Sequence, residues 1–242
     1  MKTIVIGDIH GCFSEMLALL AKVGHNPDED RVLLTGDLTD RGPDVLGVID
    51  YAIVHKFESV MGNHDHKWVR YHKHQLKRAE DPTYKNPMFR HHRQAFYETM
   101  ESRHHAYLAQ LKPYIQMAPD WIVVHAGLFP HIPVEDHDSK LWYIRWLHEE
   151  TNAFVPLSGS MGRPPNAVFW TNRWRGPGSV IYGHTSTDGV KIENGTYGID
   201  TACCYGGELT AAIFDDPITS ESEPRFESVK ATNVYAIRMG DE

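Results

Sequence analysis

Side chains that can bind metal ions or transfer protons follow almost every short apolar run of this sequence. They are Asp8 and His10, Asp37 and Asp40, Asn63 and His64, His125, and His184. Imidazole nitrogens, carboxylates and an amide oxygen suit Mn, Fe or Zn, and no cysteine accompanies them to indicate a structural zinc site. Two divalent ions about 3.5–4 Å apart that share one carboxylate are a common arrangement for in-line attack on phosphorus. The residue types therefore predict a two-metal hydrolytic site.

The number of these motifs matters more than any one of them. A single Asp after a glycine is typical of a turn or a helix cap, and a single His is usually a hydrogen-bonded polar residue. Five such motifs at successive strand ends do not arise from turn chemistry. The glycines beside them let the backbone turn sharply and leave room for a ligand.

Strands and helices alternate in the first part of the chain. Residues 3–7, 31–36 and 59–62 are apolar runs typical of buried strands, and helical apolar spacing separates them, with Gly24 ending the first helix and Pro43 opening the second. Two successive βαβ units predict a parallel core sheet. Because strand ends in such a sheet share one edge, the polar residues that follow them are expected to converge on one cleft.

Four later strands complete the predicted fold. They are residues 121–125, 179–183, 196–199 and 209–214. Gly-containing turns separate the last three, which predicts that these three form a mixed or antiparallel second sheet. Residues 215–228 have the composition of a polar, exposed loop. The predicted fold class is α/β, with a two-sheet β-sandwich flanked by helices.

The bulk composition suits one globular domain over residues 1–242. The chain is 41% hydrophobic, and no apolar run approaches the length of a membrane span. A net charge of −8 argues against general affinity for nucleic acids or membranes. Three cysteines, two of them adjacent, make no disulfide framework, so we expect a reducing, cytoplasmic location.

Residues 66–110 differ in composition from the rest. They hold seven histidines and nine Lys or Arg against four Asp or Glu, a formal charge of +5 within a chain of −8. Pro82 and Pro87 divide the segment into two helical pieces, which predicts a helical lid inserted beside the core. Such a lid either contacts a polyanionic substrate or is simply a solvated helical face. The cations that would contact the substrate are Arg70, Lys73, Arg90 and Arg93.

The motifs and their order resemble those of the calcineurin-like metallophosphoesterases, specifically the phosphoprotein phosphatase branch. The matching motifs are Gly-Asp-Ile-His-Gly at 7–11, Gly-Asp-Leu-Thr-Asp-Arg-Gly at 36–42, Gly-Asn-His-Asp at 62–65, His-Ala-Gly at 125–127 and Gly-His-Thr at 183–185. The resemblance spans residues 7 to about 214. It implies a metal-dependent phosphoester hydrolase with that family's fold.

The resemblance also implies a set of metal ligands. The first ion would be held by Asp8, His10 and Asp37. The second would be held by Asp37 as the bridge, together with Asn63, His125 and His184. We expect two divalent ions, Mn first and Fe or Zn as alternatives, with a shared hydroxide as the nucleophile.

Four further residues receive catalytic roles from the same resemblance. His64 would be the general acid that protonates the leaving oxygen, oriented and kept cationic by Asp40. Arg41 would bind phosphate oxygens, because a guanidinium fork fits them bidentately. Arg145 resembles a second phosphate-binding arginine, and a surface or packing role is its alternative.

The substrate class stays open among several readings. Residues 200–210 are similar to the corresponding run of bacterial diadenosine tetraphosphatases, and also to that of the phosphatase module of bacterial RNA-end-healing enzymes. Met61 stands where phage-type protein phosphatases carry a phosphate-binding arginine, which weighs against direct action on phosphoproteins. We therefore expect a nucleotide-like or other phosphorylated substrate, with dinucleoside polyphosphate hydrolysis first.

Three alternatives remain for the function. The nearest is a serine/threonine or dual-specificity phosphoprotein phosphatase, with a phosphoprotein as partner. An RNA- or DNA-end phosphatase would bind nucleic acid only as an end substrate. A non-catalytic binding scaffold is the third, although such scaffolds lose ligands or the acid histidine and this chain keeps them. No membrane partner is expected.

Overall fold

The first sheet carries the N-terminal half of the predicted site. The computed structural model describes residues 1–156 and 163–237. The sheet contains β1 (Lys2–Ile6), β2 (Arg31–Leu34), β3 (Glu58–Ser59), β12 (Glu208–Asp215) and β13 (Arg225–Lys230), in the order β13-β12-β1-β2-β3. Strands β1, β2 and β3 run parallel, as the two βαβ units predict. Helices α1 (Phe13–Lys22) and α2 (Val45–Val54) connect them.

The second sheet is mixed. It contains β4 (Ile115–Ala118), β5 (Trp121–Val123), β9 (Ser179–Tyr182), β10 (Lys191–Glu193) and β11 (Thr196–Gly198), in the order β10-β11-β9-β5-β4. Its three inner strands β11, β9 and β5 are parallel, and its two edge strands are antiparallel to their neighbours. A small third sheet is formed by β6 (Trp146–His148), β7 (Phe154–Val155) and β8 (Ala167–Phe169).

The two large sheets pack face to face, which confirms the predicted sandwich. Val5 and Phe214 from the first sheet share one buried apolar cluster with Trp121 and Ile181 from the second. A second cluster lies between the first sheet and its helices. A third cluster lies outside the second sheet and contains Trp170 and Trp174, so these two tryptophans are core residues.

Two expectations about the C-terminal part of the chain were wrong. The run at 209–214 joins the first sheet, where β12 pairs antiparallel with β1 and places Ile213 opposite Ile4. Both side chains are buried, so the strand lies inside the core of the first sheet although β11 precedes it in the sequence. The segment 215–228 is also not entirely a loop, because β13 begins at Arg225 and pairs with β12.

The basic segment is largely helical. Helix α3 (Asn63–Glu80) begins within the third motif, and α4 (His91–Tyr97) and α5 (Ser102–Ala109) follow, so there are three helices where two were predicted. Trp68 and Tyr71 of α3 and Tyr107 of α5 belong to the same apolar cluster as α1 and α2. The segment is therefore packed onto the core, and its action as a lid remains a prediction. Among the described residues, no helix is long and apolar enough to cross a membrane.

Candidate active site

The sandwich brings the predicted residues of both sheets to one place. The first sheet supplies residues after β1, β2 and β3, and the second supplies His125 after β5 and His184 after β9. Asp8, His10 and Asp37 are almost completely buried, as are both of these histidines. The expected convergence at the strand ends is therefore present, and it joins two sheets rather than one.

Backbone strain is concentrated at the site. Ten non-glycine residues of the described chain have left-handed backbone angles, and five of them lie at the site: His10 (φ 46°), Asp37 (φ 52°), Asp40 (φ 68°), Arg41 (φ 72°) and His184 (φ 66°). Each such residue costs roughly 1–3 kcal/mol, and strain of this kind persists where surrounding contacts over-determine it, as at active sites. The tight turns at these residues direct their side chains into the cleft. A straighter loop would leave the same side chains outside it.

Two glycines make room for two of the carboxylates. A Cβ atom on Gly62 would lie 2.1 Å from Asp37 Oδ1, and one on Gly183 would lie 1.9 Å from Asp8 Oδ1. A backbone N–H shortly after each glycine donates to the same carboxylate, at 2.9 Å from His64, two residues after Gly62, to Asp37, and at 2.8 Å from His184, the residue after Gly183, to Asp8. A side chain at either glycine would displace a predicted metal ligand.

Asp37 lies between two groups of candidate ligands. Its Oδ2 is 3.5 Å from His10 Nε2, and its Oδ1 is 3.5 Å from His125 Nε2. Ligand atoms of His10, Asp37 and His64 lie close enough together to hold one ion, and so do those of Asp37, His125 and His184. Asp37 belongs to both groups, which is the position that a bridging carboxylate requires.

Hydrogen bonds to backbone carbonyls orient two of the imidazoles. The Nδ1 of His10 is 2.8 Å from the Thr39 carbonyl oxygen, and that of His125 is 2.7 Å from the Thr35 carbonyl oxygen. These contacts assign the proton to Nδ1 and leave a lone pair on Nε2, as in most metal-binding histidines. Backbone carbonyls carry no side-chain signature, so sequence reasoning missed them.

Hydrogen-bond acceptors face one another in the second group of candidate ligands, which contains Asp37, His125 and His184. His125 Nε2, which carries a lone pair, is 3.1 Å from the Asn63 Oδ1 atom, which also accepts. Both ring nitrogens of His184 are buried without a hydrogen-bond partner. A buried polar atom left unpaired costs about 1–3 kcal/mol. A cation bound here would accept lone pairs from Asn63 Oδ1, His125 Nε2 and one ring nitrogen of His184, so the residues present fit a metal ion.

The electrostatics keep the imidazoles neutral. Burial is the largest influence on His10 and lowers its pKa to about 3, against the opposing attraction of Asp37. Burial also lowers the pKa of His125, and burial followed by the charge of Arg145 lowers that of His184 well below its usual value. Near neutral pH these rings therefore present lone pairs rather than protons to a metal.

Three buried carboxylates also converge here. Burial raises the pKa of Asp8, and the negative charges of Asp200 and Asp37 raise it further. Asp200 accepts hydrogen bonds from Ser186 Oγ at 2.8 Å and from the Ala202 amide at 3.1 Å. Asp200 thus shapes a turn and also adds charge beside the candidate ligands. Like charges held this close together favour the binding of cations.

The proposed acid and its partner are in hydrogen-bond contact. His64 Nδ1 lies 2.5 Å from Asp40 Oδ2, and Trp68 Nε1 donates to Asp40 Oδ1 at 2.8 Å. Lys67 Nζ also donates to Asp40 Oδ2. Burial alone would raise the pKa of Asp40, but the bonds from His64 and Lys67 outweigh it and hold the pKa well below its usual range.

Sequence reasoning missed Lys67 and Trp68. The signal was available, because His64, Lys67 and Trp68 stand at i, i+3 and i+4 on one helix and therefore share a face. Trp68 is buried and joins the apolar core as well. It fixes one oxygen of Asp40 while the other oxygen faces His64.

Replacing Trp68 by phenylalanine tests this positioning. The ring packing is largely kept while the indole N–H is lost, so Asp40 Oδ1 loses its donor. We expect turnover of alkyl phosphates to fall by about tenfold, which corresponds to about 1.4 kcal/mol, and turnover of aryl phosphates to fall less. Steady-state kinetics on both substrates provide the measurement. An equal loss on both would mean that Trp68 acts through folding and not through His64.

Two arginines border the site. Arg41 Nη1 lies 2.6 Å from His10 Nε2 and its Nη2 lies 3.0 Å from His64 Nε2. Arg145 Nη2 donates to the His184 carbonyl at 2.8 Å and its Nε to Thr185 Oγ1 at 3.3 Å. A metal at His10 Nε2 would require Arg41 to leave that nitrogen. Phosphate binding by both arginines remains a prediction.

Comparison with known proteins identifies the family. The family model described as calcineurin-like phosphoesterase matches residues 1–214. The chain belongs to this family and is a metal-dependent phosphoester hydrolase. The fold, the convergence of ligands and the sequence match thus agree.

Curated relatives match over most of the chain. An asymmetrical bis(5'-nucleosyl)-tetraphosphatase of Geobacillus sp. strain WCH70 is 30% identical over 236 residues, covering 87% of this chain and 89% of that protein. A symmetrical bis(5'-nucleosyl)-tetraphosphatase of Yersinia pestis strain Pestoides F is 28% identical over 270 residues, covering 89% and 90%.

Solved structures agree with the fold. A crystal structure provisionally assigned as a diadenosine tetraphosphatase has a TM-score of 0.75 and 30% identity, covering 96% of this chain and 94% of the other. A protein serine/threonine phosphatase from Saccharomyces cerevisiae has a TM-score of 0.58 at 18% identity, covering 96% of this chain and 81% of that one. The second likeness is one of fold alone.

Proposed function

We propose that this chain hydrolyses dinucleoside polyphosphates at a two-metal site. The observation that carries the proposal is the position of Asp37, with His10 3.5 Å from one carboxylate oxygen and His125 3.5 Å from the other. A carboxylate between two sets of neutral imidazoles suits the hydrolysis of phosphate esters and anhydrides by two metal ions. The substrate class is supported by the bis(5'-nucleosyl)-tetraphosphatases that match this chain along almost their whole length.

We propose the division of metal ligands that the family resemblance implies, with Asp8 in the first set, whereas the group of close ligand atoms around His10 contains His64 instead. Asp8, His10 and Asp37 would hold one ion, and Asp37, Asn63, His125 and His184 would hold the other. When bound, the two ions would polarise the phosphoryl group and lower the pKa of a water molecule. Manganese is proposed because nitrogen ligands favour it over magnesium, and iron or zinc would suit the same donors.

The chain's own residues would orient the phosphate and move the proton. Arg41 and Arg145 supply two guanidinium groups at the border of the site. His64 would deliver a proton from Nε2 to the departing oxygen, because its Nδ1 is held by Asp40. Asp40 is charged near neutral pH, and its carboxylate holds the ring of His64 through Nδ1, which leaves Nε2 as the proton-transfer atom.

We also place this activity in the cytoplasm. Cys12, Cys203 and Cys204 are free thiols and all three are buried. Free thiols and a nucleotide substrate are both compatible with a reducing compartment.

A substrate panel tests the proposal. Metal-loaded protein should hydrolyse diadenosine tetraphosphate with a kcat/KM at least about tenfold above that for a phosphoserine peptide, a difference of about 1.4 kcal/mol in transition-state binding. Chromatography of the nucleotide products would show whether cleavage gives two ADP or ATP and AMP. A phosphopeptide that is turned over faster than every dinucleoside polyphosphate would overturn the substrate class and leave the two-metal site intact.

A further inference from the structure

Helix α3 extends from the candidate active site into solvent and carries cations along one side. Asn63 lies at its first residue, and Arg70, seven positions later, is on the same face. His66, Arg70 and Lys73 follow one another at i, i+4 and i+7, and both cations are exposed. With a rise of about 1.5 Å per residue, Arg70 and Lys73 lie about 10 and 15 Å beyond Asn63 along the helix axis.

His66 fixes the start of this row beside the active site. Its Nδ1 lies 3.1 Å from the hydroxyl of Tyr143, and its ring lies 4.6 Å from that of Trp142. Tyr143 precedes Arg145 by two residues, and Arg145 donates to the backbone carbonyl of His184. The row of cations therefore begins where the second sheet delivers its own site residues.

Electrostatic coupling agrees with these contacts. Burial lowers the pKa of His66, and the charges of Arg70 and Lys73 lower it further. Burial raises the pKa of Tyr143, while Arg70 lowers it and Asp37 raises it. Tyr143 is thus within electrostatic reach of both the candidate bridging carboxylate and the first exposed cation.

The other two predicted lid cations face elsewhere. Helix α4 packs against the opposite side of α3, where the Tyr71 hydroxyl donates to Gln94 Oε1 at 3.0 Å. Arg90 and Arg93, at the start of α4, donate to the backbone carbonyls of Phe89 and Met88. The four cations that were predicted to contact the substrate therefore separate into two pairs on opposite sides of α3.

We propose that Arg70 and Lys73 form a subsite for the phosphates beyond the bond that is cleaved. The ligand class is the extended polyphosphate chain of a dinucleoside polyphosphate, and the proposal rests on the proposed function. A phosphate at the metal ligands leaves the rest of the chain to run along α3, where exposed cations attract it. The subsite selects substrates by the length of their phosphate chain.

Charge reversal on the two sides of α3 gives a matched test. Arg70→Glu with Lys73→Glu changes the net charge by the same amount as Arg90→Glu with Arg93→Glu. We expect the first pair to raise KM for diadenosine tetraphosphate about tenfold at low salt relative to KM for a small aryl phosphate, with a smaller effect at high salt. The second pair should leave that ratio near the wild-type value. In the wild type and in the Arg90/Arg93 variant, KM should also fall as the phosphate chain lengthens from diadenosine triphosphate to diadenosine pentaphosphate. In the Arg70/Lys73 variant, KM should be the same for all of these substrates.

A binding measurement separates failure of the subsite from failure of the proposed function. A methylene-bridged, uncleavable diadenosine tetraphosphate is used to inhibit aryl phosphate hydrolysis. Weaker inhibition of the Arg70/Lys73 pair than of the Arg90/Arg93 pair supports the subsite even if natural dinucleotides are not cleaved. Equal inhibition of both pairs, with unchanged melting temperatures, overturns the subsite whether or not diadenosine tetraphosphate is a substrate. Failure of the analogue to inhibit wild-type protein overturns it too.

Discussion

Asp37→Asn should abolish hydrolysis of every phosphate ester that the protein accepts. Asp37 is the one residue shared by both groups of candidate ligands among the described residues. Asparagine has the same shape but carries no charge, and its amide group cannot bind a cation on both sides. We expect kcat to fall by at least about a thousandfold, a loss of about 4 kcal/mol in transition-state stabilisation. Turnover of an aryl phosphate and metal content by mass spectrometry provide the measurement.

Metal removal from the wild-type protein is the companion experiment. Chelator-treated protein should lose activity to the same extent, and Mn²⁺ should restore it better than Mg²⁺ because nitrogen ligands favour the softer ion. Manganese should not restore the Asp37→Asn variant. Asp188→Asn, at an exposed carboxylate, is the control for loss of one negative charge. Full activity of exhaustively stripped wild-type protein would contradict the two-metal site.

The convergence of the candidate ligand residues was predictable because of a general property of parallel sheets. Strands such as β1 and β2 are recognisable from their apolar runs, and residues after them must lie at the same edge. That argument locates Asp8 and Asp37 without any knowledge of side-chain contacts. It does not give the order of strands, which is why the run at 209–214 was assigned to the wrong sheet.

Contacts made by the backbone were beyond the reach of the sequence. Asp65 illustrates this, because its place in the third motif was visible in the sequence but its role was not. One of its oxygens accepts from the backbone N–H groups of Leu38 and Thr39, at 3.1 and 3.2 Å, and the other accepts from the Gly62 N–H at 3.1 Å. Asp65 therefore joins the second and third motifs to each other. Residue type alone gives no indication of such a contact, which depends on the final position of two loops.

The division of the basic segment was likewise decided by tertiary packing. The excess of positive charge was visible in the sequence. Nothing in the sequence distinguished among the four cations that were predicted to contact the substrate. The periodicity of α3 puts Arg70 on the side of Asn63, but the position of α4 depends on contacts such as Tyr71 with Gln94. Sequence spacing could not show on which side of α3 Arg93 would lie.

The identity of the general acid can be tested by varying the leaving group. His64→Ala should reduce turnover of alkyl phosphates by about a hundredfold or more, because general acids contribute about 10²- to 10⁴-fold when the departing oxygen is a strong base. A nitrophenolate leaves without a proton, so aryl phosphate turnover should fall by less than about tenfold. His131→Ala, at an exposed histidine, is the control.

Dinucleoside polyphosphates should lose about as little turnover as the aryl phosphate in the His64→Ala variant. The departing group is then a nucleotide phosphate, whose second ionisation has a pKa of about 6. It is therefore a far weaker base than an alkoxide and no stronger a base than nitrophenolate. The loss should therefore rise with the basicity of the leaving group across the series, measured as kcat for each substrate at saturating concentration. Asp40→Asn should follow the same trend with smaller losses, because it removes the charge that orients His64 and leaves the imidazole in place. Equal losses on alkyl and aryl phosphates in His64→Ala would remove His64 from the acid role and assign it to phosphate binding with Arg41.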